Sequence, residues 1–267
     1  MIALVGSPDP LTSRLVSALH ERGEPSIVCV VSDRTELNPS AGAPVTFRVE
    51  HVGTLLQHLR ALGVGQVCFS GGIRRPSIDP GQIDKATVPL VPRIVAALGQ
   101  GDDGALRAAL SLFEEAGFGI VAAHDLVPAL LPAPGILSVA QPTRQHEADA
   151  ARAEQVHRIM APADVGQGLI VRRGQVIAVE AAPGTDVMLR SAREHAEGAL
   201  FYKAPKLGQD RRADLPVIGA GTVELARASR LSAIVIEAGG VMMLDHSATI
   251  SAADAAGLVL WVREPSQ

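Results

Sequence analysis

The chain of 267 residues is long enough for one large domain or two of ordinary size, and its 47% hydrophobic and 19% charged residues argue against disorder. A net charge of −4, a pI near 6.1 and an aromatic content of 3% argue against a nucleic-acid binder, which needs cations for the backbone and rings for the bases. "MIALVGSPDP" has no cationic leader and no long apolar stretch, and no window approaches ~18 uninterrupted apolar residues, so the expectation is a soluble cytoplasmic protein without signal peptide or membrane span.

"IALVG" reads as a buried first strand closed by a glycine. "TSRLVSALHERG" follows as a helix, with Leu11, Leu15, Val16 and Leu19 at helical spacing and Gly23 as a stop. "SIVCVVS" is a second strand, "VGTLLQHLRALG" a second helix and "QVCFSGG" a third strand, an alternation that predicts a parallel sheet wrapped by helices. Cys29 and Cys68 lie in two of these apolar runs, where buried, inert thiols are expected. "LVPRIVAALGQGDDGALRAALSLFEEAG" reads as two helices broken at Gly99–Gly104, and "FGIVAAHDLVPALL" as a return to the sheet.

Prolines and a glycine in "LPAPG" (131–135) interrupt both periodicities and mark a linker. Beyond it, "EADAARAEQVHRIMAPAD" reads as a helix, and "GLIVRRGQVIAVEA" as two alternating strands joined at "RRG". "TDVMLRSARE" (helix), "GALFYKAP" (strand), "GAGTVELARASR" (helix), "LSAIVIEAG" and "VMMLD" (strands) and "SAADAAGL" (helix) complete the pattern. The expected fold class is α/β. A Rossmann-like parallel-sheet domain is expected over 1–132, a linker over 133–142 and a C-terminal α/β catalytic domain over 143–267.

Several boundaries carry residues suited to chemistry. Gly6 and Ser7, in "VGSPDP", stand where a dinucleotide fold places phosphate-binding glycines, although one glycine and two prolines do not make a G-x-G-x-x-G. Thr12 and Ser13 are suited to cap the following helix and leave its amides for a phosphate. Ser70 and Gly71 end a parallel strand, where crevices form, and Arg74 and Arg75 follow. Asp102 and Asp103, between glycines at a helix start, exceed the need for one cap and are suited to a metal or a ribose. His124 and Asp125 form a neighbouring pair at what reads as a strand end, where they would point to opposite faces. "DVGQG" with Gln167, and "PGTD" with Gly184, Thr185 and Asp186, bracket the hairpin, where turn chemistry or helix capping also accounts for them.

"KAPKLGQDRRADLP" (203–216) gathers Lys203, Lys206, Arg211 and Arg212 beside Asp210 and Asp214. Pro205, Gly208 and Pro216 rule out a helix through it, so it is an irregular loop, either a solvated surface or a grip for an anion. Among these cations an aspartate would stay ionised and would either hold a divalent metal or orient a water against phosphorus.

The segments "GDDGALRAALSLFEEAGF…AAHDLVPALLPAPG", "DVGQGLIVRRGQVIAVEAAPGTDVMLR" and "KAPKLGQDRRADLPVIGAGTVELA…AIVIEAGGVMMLD" resemble the LpxI-type UDP-2,3-diacylglucosamine pyrophosphatases of lipid A biosynthesis. The resemblance implies a two-domain hydrolase, dependent on Mg²⁺ or another divalent cation, that releases UMP and 2,3-diacylglucosamine 1-phosphate. It matches Asp214, Lys203 and Asp186 to functional residues of the family; with Arg212 added for its charge, the expected catalytic set is Asp214, Lys203 and Arg212, with Asp214 and Asp186 toward the metal. Gly6, Ser7, Ser70, Gly71, Asp102, Asp103, Gln167, Gly184, Thr185, Asp186 and Lys206 would meet the substrate. Two departures from the family pattern stand out: "GSPDP" replaces a glycine-rich turn, and Pro183 replaces the acid often found before G-T-D. The lipid substrate implies transient contact with the inner face of the membrane, and a homodimer is the commonest symmetric assembly. Two other classes stay open: a non-catalytic nucleotide-sugar or lipid binder, and a dinucleotide-dependent oxidoreductase, against which the missing G-x-G-x-x-G speaks.

Overall fold

The computed structural model describes residues 1–32, 44–72, 78–99 and 101–266. Arg74 and Arg75 lie outside the described residues. The chain divides into two compact units: Met1–Pro128 with Asp210–Asp214, and Ala129–Gln209 with Leu215–Gln267.

In the first unit β1 (Ile2–Gly6) leads into α1 (Pro10–Glu21), then β2 (Ser26–Val31), β3 (Val45–Phe47), α2 (Val52–Ala61) and β4 (Gln66–Ser70). After them come α3 (Val91–Leu98), α4 (Asp102–Glu115), β5 (Gly119–Ile120) and α5 (Ala123–Leu126). The five strands form one parallel sheet in the order β3-β2-β1-β4-β5, as the alternating pattern predicts. β1 is buried along its whole length, as expected of a parallel strand covered on both faces. α1 begins with Pro10, whose missing N–H costs nothing in a first turn, and turns Leu11, Leu15, Ala18 and Leu19 into the core. Its cap is Asp9, not the expected Thr12 or Ser13. In a core with few rings, Phe69 and Phe113 meet edge to face at 5.4 Å, Phe118 leans on Phe113, and Leu55, Leu59 and Leu110 fill the space around them. Ala213, from the late segment, packs against the same cluster.

One expected element differs. After the two residues of β5 the chain coils into α5, so His124 and Asp125 sit on a helical turn rather than a strand. "AHDL" contains no β-branched residue, and a turn of helix there buries both Ala123 and Leu126.

The second unit runs β6 (Gly135–Ile136), α6 (Arg144–Met160), β7 (Gly168–Arg172), β8 (Gln175–Val179), α7 (Thr185–Ser191) and β9 (Leu200–Lys203). β10 (Val217–Ile218), α8 (Ala220–Ala228), β11 (Ala233–Glu237), β12 (Met242–Met243), α9 (His246–Ala256) and β13 (Val259–Arg263) follow. A six-stranded mixed sheet has the order β6-β13-β11-β9-β7-β8, parallel through β13, β11 and β9 and antiparallel at its flanks. β10 and β12 pair separately. The expected hairpin turns at Arg173 (φ 49°) and Gly174 (φ 76°), both left-handed. Asp149, buried on α6, accepts the N–H groups of Arg173 at 3.0 Å and Gly174 at 2.7 Å, so a tertiary contact holds the turn. Five residues further on, buried Glu154 takes Arg158, Arg263 and the Ser266 N–H, which fastens the chain beyond β13 to α6.

Both cysteines are free and buried, as expected, and burial pushes each thiol up to about 12, with Asp125 adding to the effect at Cys68. At pH 8 a disulfide-exchange reagent should therefore titrate neither thiol in the native protein and both after unfolding in guanidinium. Rapid reaction of the native protein would contradict this burial.

Candidate active site

The chain order of the first sheet reverses between β1 and β4, and ligands of open parallel sheets bind outside the strand ends at such a reversal. The structure brings Gly6, Ser7, Ser70 and Gly71 together there. A Cβ on Gly6 would lie 1.7 Å from the Ser70 carbonyl oxygen, so the two strands meet only because residue 6 is glycine. The Thr12 hydroxyl donates to the Ser7 carbonyl at 2.8 Å and lies 2.9 Å from Ser70 Oγ. Gly71 has φ +76°, and a Cβ on it would meet the Asp9 carboxylate at 2.1 Å. Asp9 itself accepts the Thr12 N–H at 2.9 Å. The start of α1 is thus already satisfied by a carboxylate, where the sequence pattern suggested amides left for a phosphate. Asp102 and Asp103 open α4 behind Gly101, which supplies no side-chain cap.

The Asp210–Asp214 segment belongs to the first unit. The Arg212 guanidinium grips Asp210 through Nε at 3.0 Å and Nη2 at 2.7 Å, and its Nη1 donates to Glu114 at 2.7 Å. Those hydrogen bonds hold the Asp210 carboxyl below the usual carboxylate range, so Asp210 is more than a solvated surface charge. Asp214 is half-buried, two residues on.

In the second unit Lys203 ends β9 and is only 5% exposed. Its ammonium donates to Thr185 Oγ1 at 2.5 Å, and the Glu180 carboxylate lies 3.9 Å away. Thr185 opens α7 behind Gly184, whose φ of +86° is left-handed and suits glycine. Lys206 pairs with Asp164 at 2.6 Å, while Gln167 donates to the Gln209 side chain at 3.1 Å and accepts the Ala204 N–H through its carbonyl. Gln167, Thr185, Lys203 and Lys206 therefore share one end of this sheet. Asp186 is turned outward: its carboxylate binds Arg190 one turn along α7, and its side chain is 62% exposed. Beside Gly184 runs an open cleft of about 320 Å³ lined by Ile177, Val179, Ala181, Pro183, Val187 and Met188. Glu180 and Asp9 were not among the residues singled out from the sequence. An acid at the tail of an alternating strand and an acid in a proline turn both have ordinary readings.

Each of the two α/β units gathers polar residues at strand ends around an apolar sheet. A model of the LpxI N-terminal domain matches residues 2–130, and one of the LpxI C-terminal domain matches residues 133–261. The chain is also similar to the UDP-2,3-diacylglucosamine pyrophosphatase LpxI of Caulobacter vibrioides, with 38% identity over 224 residues and 80% of each chain covered. The chain belongs to the LpxI family.

Two outcomes test this geometry. Gly6→Ala should lower stability by about 1–3 kcal/mol in denaturant titrations, because β1 and β4 must part, whereas Gly65→Ala, whose Cβ meets nothing within 4 Å, should be nearly neutral. Asp210 has a depressed carboxyl pKa in the folded chain, so its pairing with Arg212 contributes above the unfolded value near about 3.9 and is lost only as pH falls through the lower folded one. Carboxyl carbon NMR should show Asp210 still ionised at the pH where unperturbed aspartates are half protonated.

Proposed function

We propose that this protein hydrolyses the pyrophosphate of UDP-2,3-diacylglucosamine to UMP and 2,3-diacylglucosamine 1-phosphate, a step of lipid A biosynthesis. The observation that carries the reading is the pair of LpxI domain matches, which together run from residue 2 to residue 261. The geometry agrees with it. A pyrophosphate needs fixed cations, and Lys203 offers a nearly buried ammonium anchored by Thr185, with Lys206 close by in the chain. In the reaction a water oxygen bonds to one phosphorus, the bridging P–O bond breaks, and the bridging oxygen leaves with the other phosphate. Asp214 either takes up the water's proton and aims the oxygen or holds the cation. The acyl chains would lie on apolar surface, for which the cleft beside Gly184 offers a lining, and would bring the protein to the membrane face. Among the described residues no helix is long and apolar enough to cross a membrane.

Among the described residues no group of three or more His, Cys, Asp or Glu side chains is arranged to hold a metal ion. Mg²⁺ keeps several waters and binds through one or two carboxylates plus substrate phosphates, so it does not require such a cluster. Asp214 is the carboxylate proposed to hold it, and the Asp186 carboxylate is engaged by Arg190. When bound, the cation would neutralise charge on the pyrophosphate. The chain's own residues supply the remainder: they fix the phosphates and place the water.

UMP release from UDP-2,3-diacylglucosamine, measured with and without EDTA, tests the reading. Release that stops with EDTA and returns with Mg²⁺ is expected, and no release under either condition would mark a binding protein. Asp214→Ala should lower kcat by about 10²–10⁴-fold while circular dichroism and substrate binding persist. Near-normal turnover would remove Asp214 from the chemistry.

A further inference from the structure

Glu180 is a buried carboxylate for which the reading above has no use. Its residue is 9% exposed, and its Oε2 has no hydrogen-bond partner among the described residues. Orphaned carboxylate oxygens are costly inside a protein, so each calls for an explanation. The surroundings are built to admit this one. The Glu180 N–H donates to the Gly168 carbonyl at 2.8 Å, which fixes the backbone beside the start of β7. A Cβ on Gly168 would lie 2.7 Å from Glu180 Oε2, and one on Gly166 would lie 2.2 Å from the Glu180 carbonyl oxygen. Glycines at 166 and 168 thus vacate the volume that Glu180 fills. Directly across the ladder from Gly168 stands Lys203. Its ammonium lies 3.9 Å from the orphaned oxygen, within ion-pair range but too far for a hydrogen bond.

The composition adds an independent hint. The chain has three lysines, Lys85, Lys203 and Lys206, against 21 arginines. At residue 203 it carries the compact ammonium, the cation whose single charge centre can be shared between a hydroxyl and a carboxylate in a narrow space.

We propose that Glu180 is the positioning residue for Lys203: together with Thr185 it fixes the buried ammonium where the pyrophosphate is to be met. Glu180 does not touch the reacting atoms. It supplies counter-charge to the buried Lys203 ammonium, and the substrate's phosphates take over part of that role when they bind. The proposal rests on the reading of this site as a pyrophosphate-cleaving centre, but its test does not require turnover.

With three lysines, the full chain labelled with ¹³Cε-lysine gives three resolvable ε-methylene signals, assigned by single Lys→Arg replacements. A fixed ammonium keeps its two ε protons inequivalent, and a free one averages them. Glu180→Gln, which keeps the shape and removes the charge, should collapse the Lys203 pair while leaving Lys206, held by Asp164, as it was. Inequivalence retained as in the unchanged protein overturns the proposal. Where UMP release is measured, the same variant should lose at least tenfold in kcat with KM changed less than threefold, and an unchanged kcat overturns it too. If the unaltered protein releases no UMP, the proposed function fails, and the lysine signals alone decide the pairing. Should Glu180→Gln not fold, the Glu180→Gln/Lys203→Gln double variant must be more stable than Lys203→Gln alone, since it buries no unpaired charge. A double variant no more stable than that single one overturns the proposal.

Discussion

A parallel sheet covered on both faces leaves polar groups one place to go, the ends of its strands. That constraint organises the first sheet and the parallel centre of the second, β13, β11 and β9. β4 is buried over Val67–Ser70, and its last residue, Ser70, is polar. β9 is buried throughout and ends in Lys203; β11 is buried over Ala233–Ile236 and ends in Glu237; β13 ends in Arg263. A hydroxyl, an ammonium, a carboxylate and a guanidinium thus close strands whose interiors are mostly apolar. Charge gathers there because burying it among apolar side chains is costly unless a partner meets it.

The charges that remain buried are each met by a partner of a particular kind. Asp149 and Glu154 on α6 serve as acceptors that hold a hairpin turn and the chain end. Lys203 is met by a hydroxyl and by a carboxylate at a distance. Exposed Arg212 is tied to Asp210 and Glu114.

Much of the fold was legible because local periodicity and core burial coincide. "IALVG", "SIVCVV" and "QVCFSG" are aliphatic runs of strand length between helical patterns, and that alternation requires a parallel sheet. The hairpin was legible in "RRG", because only residues tolerant of φ > 0 make so short a reversal. β6 was not legible for a related reason: it is two residues long, and a strand so short exists only through its neighbour, whereas β13 is an apolar run of strand length that the pattern did offer. "AHDL" misled because it follows an apolar run, and its helical turn is settled by what it buries. In the site, Lys203, Thr185, Gln167 and Lys206 came from charge and glycine clusters at element boundaries. Asp9 and Glu180 matter through partners distant in sequence or on another strand, which no linear pattern displays. The one local trace of Glu180 was the pair of glycines entering β7, and it is readable only once the register of β7 on β8 and β9 is known.

The two domain models meet between residues 130 and 133, as though the protein were two modules in series. The compact units are interleaved instead: Asp210–Asp214 leaves the second half of the chain to complete the first unit, where Ala213 joins the core and Arg212 neutralises Glu114. A gene cut at the linker would therefore deliver an N-terminal fragment with an open seam, and a C-terminal fragment whose five-residue excursion has nothing to land on. Recombination or domain shuffling at that joint is disfavoured by the weave of the backbone itself, and the halves are bound to descend as one piece.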